Sequence, residues 1–336
     1  MEDRWNEKSL SDLSGSFWQA CTLQAAVKLD LFTLLGEEEK SAADLAAALP
    51  ADLRGVTALL NALAAMGLLV KRNGFFSNTG ASARCLSRNS GQYLGWRMLH
   101  HHYLLPSWTR LDEAVSKGKP QLGENGTEQE DARREAFLMA MYSNALPVSQ
   151  WIVPRLPLEG YRNLLDLGGG PGTYAAQFCL RNPGLEAIVF DLPASRVYAE
   201  KTIASFGLRD RIGFRGGDFF RDQIPGEYDV VWMSHILHSF GPDECRNLMG
   251  NAVRALRPGG LLLVHDFILD DSGDGPLFPA LFALNMLVRT SKGRSYTGSE
   301  IMGLLSGAGL RKIRRLELSI PNGSGVIAGE KDGKLT

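Results

Sequence analysis

The sequence predicts an α/β chain: a doubly wound, mostly parallel sheet with a C-terminal antiparallel strand pair, preceded by a mainly α-helical N-terminal domain. Three observations predict it. From Tyr161 onward, short apolar strands alternate with helix-spaced segments, the pattern of a parallel sheet covered on both faces. Before that point apolar residues recur at helical spacing and rarely alternate. The length, 336 residues, exceeds what one compact core usually spans. The expected division is a first domain over 1–95, a helical connector over 96–155 and the sheet domain over 156–336.

The N-terminal domain reads as short helices and one hairpin. FWQACTLQAAVKLDLFTLL (17–35) is one amphipathic helix. SAADLAAAL (41–49) opens with Ser41 and Asp44 in the positions of a capping box. RGVTALLNALAAMGLLV (54–70) is a third helix, and KRNGFFSNTG (71–80) carries Asn-Gly between strand-forming residues, a hairpin signal. Three helices and a hairpin suggest a winged helix. A helix that reads DNA carries a comb of polar and basic side chains, whereas the third helix offers only Arg54, Thr57 and Asn61. An interface between two copies suits it better. Residues 99–118 and 131–156 read as long helices around the polar loop 119–130.

The sheet domain begins with the strand NLLDL (163–167), a glycine loop and the helix TYAAQFCLR. EAIVFD (186–191) is a second strand, followed by a helix through Phe206, then a third strand in RIGFRGGDFF (211–220). YDVVWMS (228–234) is the fourth, 243–256 a helix, RPGG a turn and LLLVHD (261–266) the fifth strand. GSEIMGLLSGAGL (298–310) is a helix capped by Thr297 and Glu300. RKIRRLELSI and SGVIAGEK form the final strand pair around Pro321-Asn-Gly.

Composition narrows the function classes. A net charge of −1 gives no bulk attraction to nucleic acid or anionic membrane. No apolar run approaches the ~20 residues that span a bilayer, and the polar start MEDRWNEKSL has no signal segment behind it. The four cysteines are scattered without a C-x-x-C pair, as expected in a reducing cytoplasm. No membrane or nucleic-acid partner and a cytoplasmic location are therefore expected.

LLDLGGGPGTY (164–174) places a glycine-rich turn between strand and helix, where backbone can touch a ligand. Two cofactors compete for it. The dinucleotide spacing G-x-G-x-x-G/A fails from Gly168, because position 173 is threonine, and passes weakly from Gly170 through Gly172 and Ala175. The spacing D-x-G-x-G-x-G fits fully through Asp166, Gly168, Gly170 and Gly172. A carboxylate at the mouth of the loop suits the ammonium and sulfonium of S-adenosylmethionine better than a pyrophosphate. Asp191 ends the second strand and Asp218 follows the third. Asp191 suits ribose hydroxyls in either cofactor and does not discriminate. Asp218 can accept from an adenine amine, with Phe219 or Phe240 against the ring.

The six histidines fall in three short stretches: His100, His101 and His102; His235 and His238; and His265 beside Asp266. His235 and His238 come after the fourth strand, at the carboxyl edge where such sheets bind ligands. Metal ligation, base catalysis and packing all remain open from spacing alone. No pair has the H-x-x-x-H helical spacing, and no metal is expected.

LLDLGGGPGTYA, VFDLP, RIGFRGGDFF, YDVVWMSHILHSFGPDEC, LRPGGLLLVHD and MLVRTSKGRSYTGSEIMGLLSGAGL together resemble the S-adenosylmethionine-dependent O-methyltransferases of the plant caffeate, acetylserotonin and bacterial hydroxyneurosporene type. The resemblance covers nearly the whole chain. It implies a Rossmann-like methyltransferase sheet, a winged-helix dimerisation domain and a homodimer. It further implies S-adenosyl-L-methionine as cofactor, S-adenosyl-L-homocysteine as product and a small, aromatic or polyene-like acceptor. At matching positions it implies His238 as general base, with Asp266 orienting it. The candidate cofactor residues are Asp166, Gly168, Gly170, Gly172, Asp191, Leu192, Asp218, Phe219, Ser234 and Phe240. The candidate acceptor residues are His100, His101, Phe137, Met141, His235, Met286 and Thr290.

The chain departs from its relatives around the base. Ser295 stands where many carry a second glutamate, Ser239 where an aspartate often follows the histidine, and Asp266 replaces a longer glutamate. The competing readings are methyl transfer to carbon or nitrogen, a nicotinamide-dependent oxidoreductase using the Gly170–Ala175 register, and a non-catalytic dimer that senses a metabolite.

Overall fold

Local sequence signals set the first elements of the structure, a computed structural model that describes residues 5–122 and 127–333. The centre of the loop expected over 119–130 lies outside the described residues. Ser41 and Asp44 form the reciprocal capping box at the start of the helix Ala42–Ala48. The helix expected over 17–35 is two, Phe17–Lys28 and Leu31–Leu35, broken where Asp30 takes a left-handed φ of 54°. The helix expected over 54–70 stops at Ala65 because Gly67 turns the chain at φ 74°. Beyond Gly67 the backbone is extended, and Leu69–Arg72 is a strand.

Two compact units divide the chain: Met1–Leu105 with Glu128–Ala140, and Pro106–Thr127 with Met141–Thr336. The segment read as a connector over 96–155 is thus shared between them. In the first unit β1 (Lys40–Ser41), β2 (Leu69–Arg72) and β3 (Phe75–Asn78) form an antiparallel sheet in the order β1-β3-β2. Asn73 and Gly74, at φ 47° and 86°, make the tight turn that the Asn-Gly signal predicts. Leu31, Phe32, Leu60, Leu63 and Phe76 fill its core. Leu10, Leu13, Phe17 and Trp18 stay on the surface, Trp18 at 70% exposure.

The second unit holds β4 (Asn163–Leu167), β5 (Glu186–Asp191), β6 (Ile212–Gly216), β7 (Tyr228–Ser234), β8 (Leu256–Asp266), β9 (Ile268–Leu269), β10 (Tyr296–Thr297), β11 (Arg311–Arg315) and β12 (Gly325–Glu330). Seven of them form one sheet in the order β11-β12-β8-β7-β4-β5-β6. Strands β6, β5, β4, β7 and β8 run parallel, and β12 and β11 close the sheet antiparallel. The predicted fold class is the observed one. Strand β7 is buried from Tyr228 to Met233, with Val230 and Trp232 in one core and Val231 and Met233 in the other. Alternation of this kind is what a central strand between two helical layers requires.

Two features depart from the sequence reading. RPGG is not a free turn before the fifth strand. β8 starts at Leu256, opposite Tyr228, and the register jumps so that Val230 faces Leu261. The four residues form a bulge, with Gly259 at φ 76°. A helix, Leu277–Arg289, and the parallel pair β9–β10 lie between β8 and the helix Gly298–Gly307, where no element was read. No helix among the described residues is long and apolar enough to cross a membrane.

Strand order reverses between β4 and β7, and each parallel strand ends at the same edge. That crevice is where doubly wound sheets bind ligands, and it receives the glycine loop, Asp191 and the histidines.

Candidate active site

The glycine loop leaves β4 with Gly168, Gly170 and Gly172 at φ 69°, 51° and 72°, a conformation other residues rarely adopt. A Cβ on Gly168 would collide with the Ile236 side chain. On Gly169 it would lie 2.5 Å from Asp166 Cγ. The loop therefore rests on Asp166, which is 1% exposed. This corrects the expectation of a carboxylate at the mouth of the loop. Asp166 is underneath it because its side chain points off the strand into the core. Asp166 Oδ2 accepts from the Ala175 N–H at 3.1 Å, while Oδ1 has no partner. Burial, reinforced by nearby Asp191 and opposed by that N–H, pushes its pKa up to about 7.

Asp191 clamps the same loop. Its Oδ2 accepts from the Gly170 N–H at 2.7 Å, and its Oδ1 accepts from the Leu192 N–H and the Ser195 hydroxyl. Burial raises its pKa against these three donors. Leu192 beside it is exposed. Asp218 accepts from the Phe220 N–H at 2.9 Å. Phe240 lies edge-on to Phe219 and Phe220, with centroids 5.8 and 4.8 Å away. A glycine loop, two half-buried acids and an aromatic cluster at one sheet edge fit a nucleoside ligand that carries positive charge. Ser234 points elsewhere: its Oγ is 2.9 Å from Nδ1 of the fully buried His265, which also meets Ser324 Oγ at 2.6 Å.

At the end of β7 the chain turns sharply. His235 sits at φ 57° and donates its N–H to the His265 carbonyl at 2.8 Å. His238 lies in the short helical turn Leu237–Ser239 and is 8% exposed. Its Nδ1 is 2.7 Å from Asp266 Oδ1, which also accepts from the Phe267 N–H at 2.8 Å. An ionised carboxylate only accepts, so the imidazole carries its proton on Nδ1 and keeps a lone pair on Nε2. Burial works against the charge on Asp266, but His238 and His235 outweigh it and hold the carboxyl well below its usual range. His235 Nδ1 stands 3.4 Å from the same oxygen.

His235, His238 and Asp266 bring their ligand atoms within 4.8 Å of one another, close enough to consider an ion. Ligands ~2.0–2.2 Å from a tetrahedral zinc ion stand about 3.3–3.6 Å apart. The 2.7 Å contact between His238 and Asp266 is shorter, the length of a charge-assisted hydrogen bond. The geometry is that of a proton-holding cluster.

An aromatic group flanks the histidines, and the sequence reading missed Phe267 and Phe278 in it. Phe282 meets the His238 ring edge-on at 4.7 Å, and Phe267 lies 4.3 Å from the His235 ring. Phe267 also contacts Phe278 at 4.7 Å and Phe282 at 4.9 Å. Phe278 and Phe282 are four apart, one helical turn, and reading the helix Leu277–Arg289 would have put them on one face. Met286 comes one turn later on that helix, buried. Thr290 ends it, with its hydroxyl donated to the Met286 carbonyl and accepting the Gly293 N–H, both at 2.8 Å. Ser295 donates to the Pro279 carbonyl at 2.8 Å and so braces this helix. Met141 is half-buried in the same unit. His100, His101 and Phe137 belong to the other unit, where the His100 ring is 5.5 Å from Phe137 and 6.0 Å from His101.

An open cavity of about 290 Å³ lies at the opposite, amino edge of β4–β6, lined by Asn163, Glu186, Arg211 and Tyr228 among others. It lies across the sheet from the histidines and the glycine loop.

The O-methyltransferase domain family matches residues 108–311, and the O-methyltransferase dimerisation domain matches residues 11–88. The chain belongs to the O-methyltransferase family. It is 34% identical over 328 residues to 3-hydroxy-5-methyl-1-naphthoate 3-O-methyltransferase of Streptomyces sahachiroi, covering 96% of this chain and 94% of that one. It is 35% identical to the tetracenomycin polyketide synthesis 8-O-methyl transferase TcmO of Streptomyces glaucescens, with 92% and 93% covered. The solved structure of PigF with SAH superposes with a TM-score of 0.89 at 28% identity, covering 97% of this O-methyltransferase and all of PigF; PigF from Serratia is an S-adenosyl-L-methionine-dependent methyl transferase. The enzyme is an S-adenosylmethionine-dependent O-methyltransferase, and the nicotinamide reading is set aside.

Proposed function

We propose that this enzyme methylates a hydroxyl on a fused-ring aromatic acceptor, with His238 as general base and Asp266 as the group that orients it. One observation carries the reading: the 2.7 Å contact between His238 Nδ1 and Asp266, which leaves Nε2 basic beside Phe282. The cofactor supplies an electrophilic methyl group on a sulfonium. The chain's residues manage the acceptor. His238 Nε2 takes the hydroxyl proton as the oxygen attacks, Asp266 stabilises the imidazolium that forms, and the water-excluding phenylalanines hold the ring flat. A phenol of pKa ~10 and an imidazole of ~6.5 differ by about 3.5 units, ~5 kcal/mol, so a separate prior deprotonation is costly. Proton transfer during attack avoids that cost and is worth ~10²–10⁴-fold. Alignment of oxygen, methyl and sulfur contributes more, up to ~7–11 kcal/mol.

Phe267, Phe278 and Phe282 support an aromatic acceptor, as do the naphthoate and tetracenomycin polyketide named for the two relatives. Met286 borders that acceptor, with His235, Met141 and Thr290 of the same unit contributing to its pocket. Gly168, Gly170, Gly172, Asp191, Leu192, Asp218, Phe219 and Phe240 hold the cofactor, with Asp166 under the loop and Ser234 supporting from the sheet. The first domain, over 1–95, is a winged helix that forms a homodimer. The helix Leu53–Ala65, the hairpin after it and the exposed Leu10, Leu13, Phe17 and Trp18 support this. The domain over 156–336 binds the cofactor. The four free cysteines accord with a cytoplasmic protein.

The test is calorimetric titration with S-adenosylhomocysteine, followed by assay of hydroxylated naphthoates with wild type and His238→Ala. Binding, turnover and a loss of at least ~10²-fold in the variant are expected. A variant that keeps the rate on its true acceptor would point to methylation at carbon or nitrogen, where alignment dominates.

A further inference from the structure

His235 holds a backbone conformation that suits it poorly. A non-glycine residue in the left-handed region is strained and persists where its surroundings over-determine it. Here the backbone is pinned by the 2.8 Å hydrogen bond to the His265 carbonyl, and the ring is wedged 4.3 Å from Phe267 and 4.5 Å from His265. The conformation aims Nδ1 at Asp266 Oδ1, 3.4 Å away, where it is buried without a hydrogen bond. His238 reaches the same oxygen from the other side at 2.7 Å. Among the described residues no other carboxylate is hydrogen-bonded or ion-paired to either ring, and Ser295 is spent on the Pro279 carbonyl.

We infer that His235 is a positioning residue for the base: it acts through Asp266, holding the carboxylate between two imidazoles that share its single charge. The inference deepens the reading of His238 as base and rests on it. With both rings neutral, Asp266 is kept in line with His238 Nδ1 and is ready to stabilise the imidazolium. Once His235 binds a proton, its charge draws Asp266 and opposes protonation of His238. The titratable groups that face His235 are Asp266 and His265 from β8 and His238 from the turn. Burial keeps His265 neutral. The helix Leu277–Arg289 adds only aromatic rings, behind Phe267.

The test uses full-length His235→Gly and His235→Asn, both of which accept a positive φ, beside His238→Ala. kcat is measured against pH, with S-adenosylhomocysteine affinity as the check on folding. For His235→Gly we expect kcat to fall about tenfold, inside the ~10²–10⁴ that a general base contributes, with affinity unchanged. The acid limb, in two steps for wild type, should become one. His235→Asn, whose amide can donate to Asp266, should recover part of kcat and keep the single step. A purely structural role would lower kcat and leave the limb's shape alone, which overturns the inference. So does an unchanged His235→Gly alongside an inactive His238→Ala, with the base reading intact. If His238→Ala stays active, the base reading fails. The histidine ring signals then decide: a His238 titration that His235→Gly does not move overturns the inference, and one that it moves supports it.

Discussion

Asp166 and Asp266 end up equally buried, one under the glycine loop and the other under the histidine turn, yet their protonation is driven in opposite directions. Asp166 has one backbone N–H, a second carboxylate nearby and an oxygen with no partner. Asp266 has two imidazoles and a backbone N–H on one oxygen. Burial sets the cost of the charge in both places, and the partners decide whether the charge survives. The glycine loop thus rests on an acid whose pKa burial raises to about 7. The histidine turn holds one that its imidazole partners keep ionised.

The sharpest way to break this contrast is Asp266→Asn. It keeps the shape of the side chain and removes the charge, so the imidazolium loses its partner and the tautomer is no longer fixed. We expect kcat to fall by ~10²–10⁴ with S-adenosylhomocysteine affinity little changed. A variant within a few-fold of wild type would mean that Asp266 is a packing residue like its counterpart.

The second prediction concerns Asp166 and stability. A carboxyl raised from 3.8 to about 7 in the fold stabilises fully below the unfolded value and loses that contribution as pH rises through the folded one. The shift corresponds to at most ~4 kcal/mol. Denaturant unfolding of the cofactor-free enzyme should show wild type losing ground to Asp166→Asn between about pH 4 and pH 8. A flat difference across that range would remove the contrast. S-adenosylmethionine, being cationic, should also bind more tightly as pH rises through about 7.

Gly169→Ala tests the steric side of the same place. Its Cβ would lie 2.5 Å from Asp166 Cγ, so loop or carboxyl must move. A loss of ~1–3 kcal/mol in unfolding free energy is expected, as for other overpacked sites. The smallest effect should come from Phe278→Leu. Phe278 is 52% exposed, so stability should stay within ~0.5 kcal/mol. KM for an aromatic acceptor should still rise, and an unchanged KM would take Phe278 out of the acceptor platform.

The alternation of strands and helices after Tyr161 was plain because each period is written in side chains that face two cores. The capping boxes at Ser41 and Thr297 and the Asn73–Gly74 turn were equally local, and the structure keeps them. The helix Leu277–Arg289 escaped because its apolar residues nearly surround it and Pro279 stands in its first turn, where proline is tolerated. RPGG looked like a turn because a bulge uses the same residues. In the site, residue types and spacing pointed to the glycine loop and to the strand-end histidines. They could not say that Asp166 lies inside the sheet, or that His235 adopts a left-handed backbone. Both depend on neighbours distant in sequence: Trp232 and Val189 beside Asp166, and His265 and Phe267 around His235.

The antiparallel closure of the sheet bears on how the enzyme is made. β12 pairs along β8, setting Gly325 opposite Asp266 and Val326 opposite His265, and Ser324 holds the His265 ring. A chain emerging from the ribosome N-terminus first has synthesised the glycine loop, His235, His238 and Asp266 long before it has made the strand that flanks Asp266. During that interval β8 has an open edge and His265 lacks its serine. The nascent enzyme can finish its glycine loop early, but Asp266 gains its flanking strand only once residues 324–330 have left the exit tunnel.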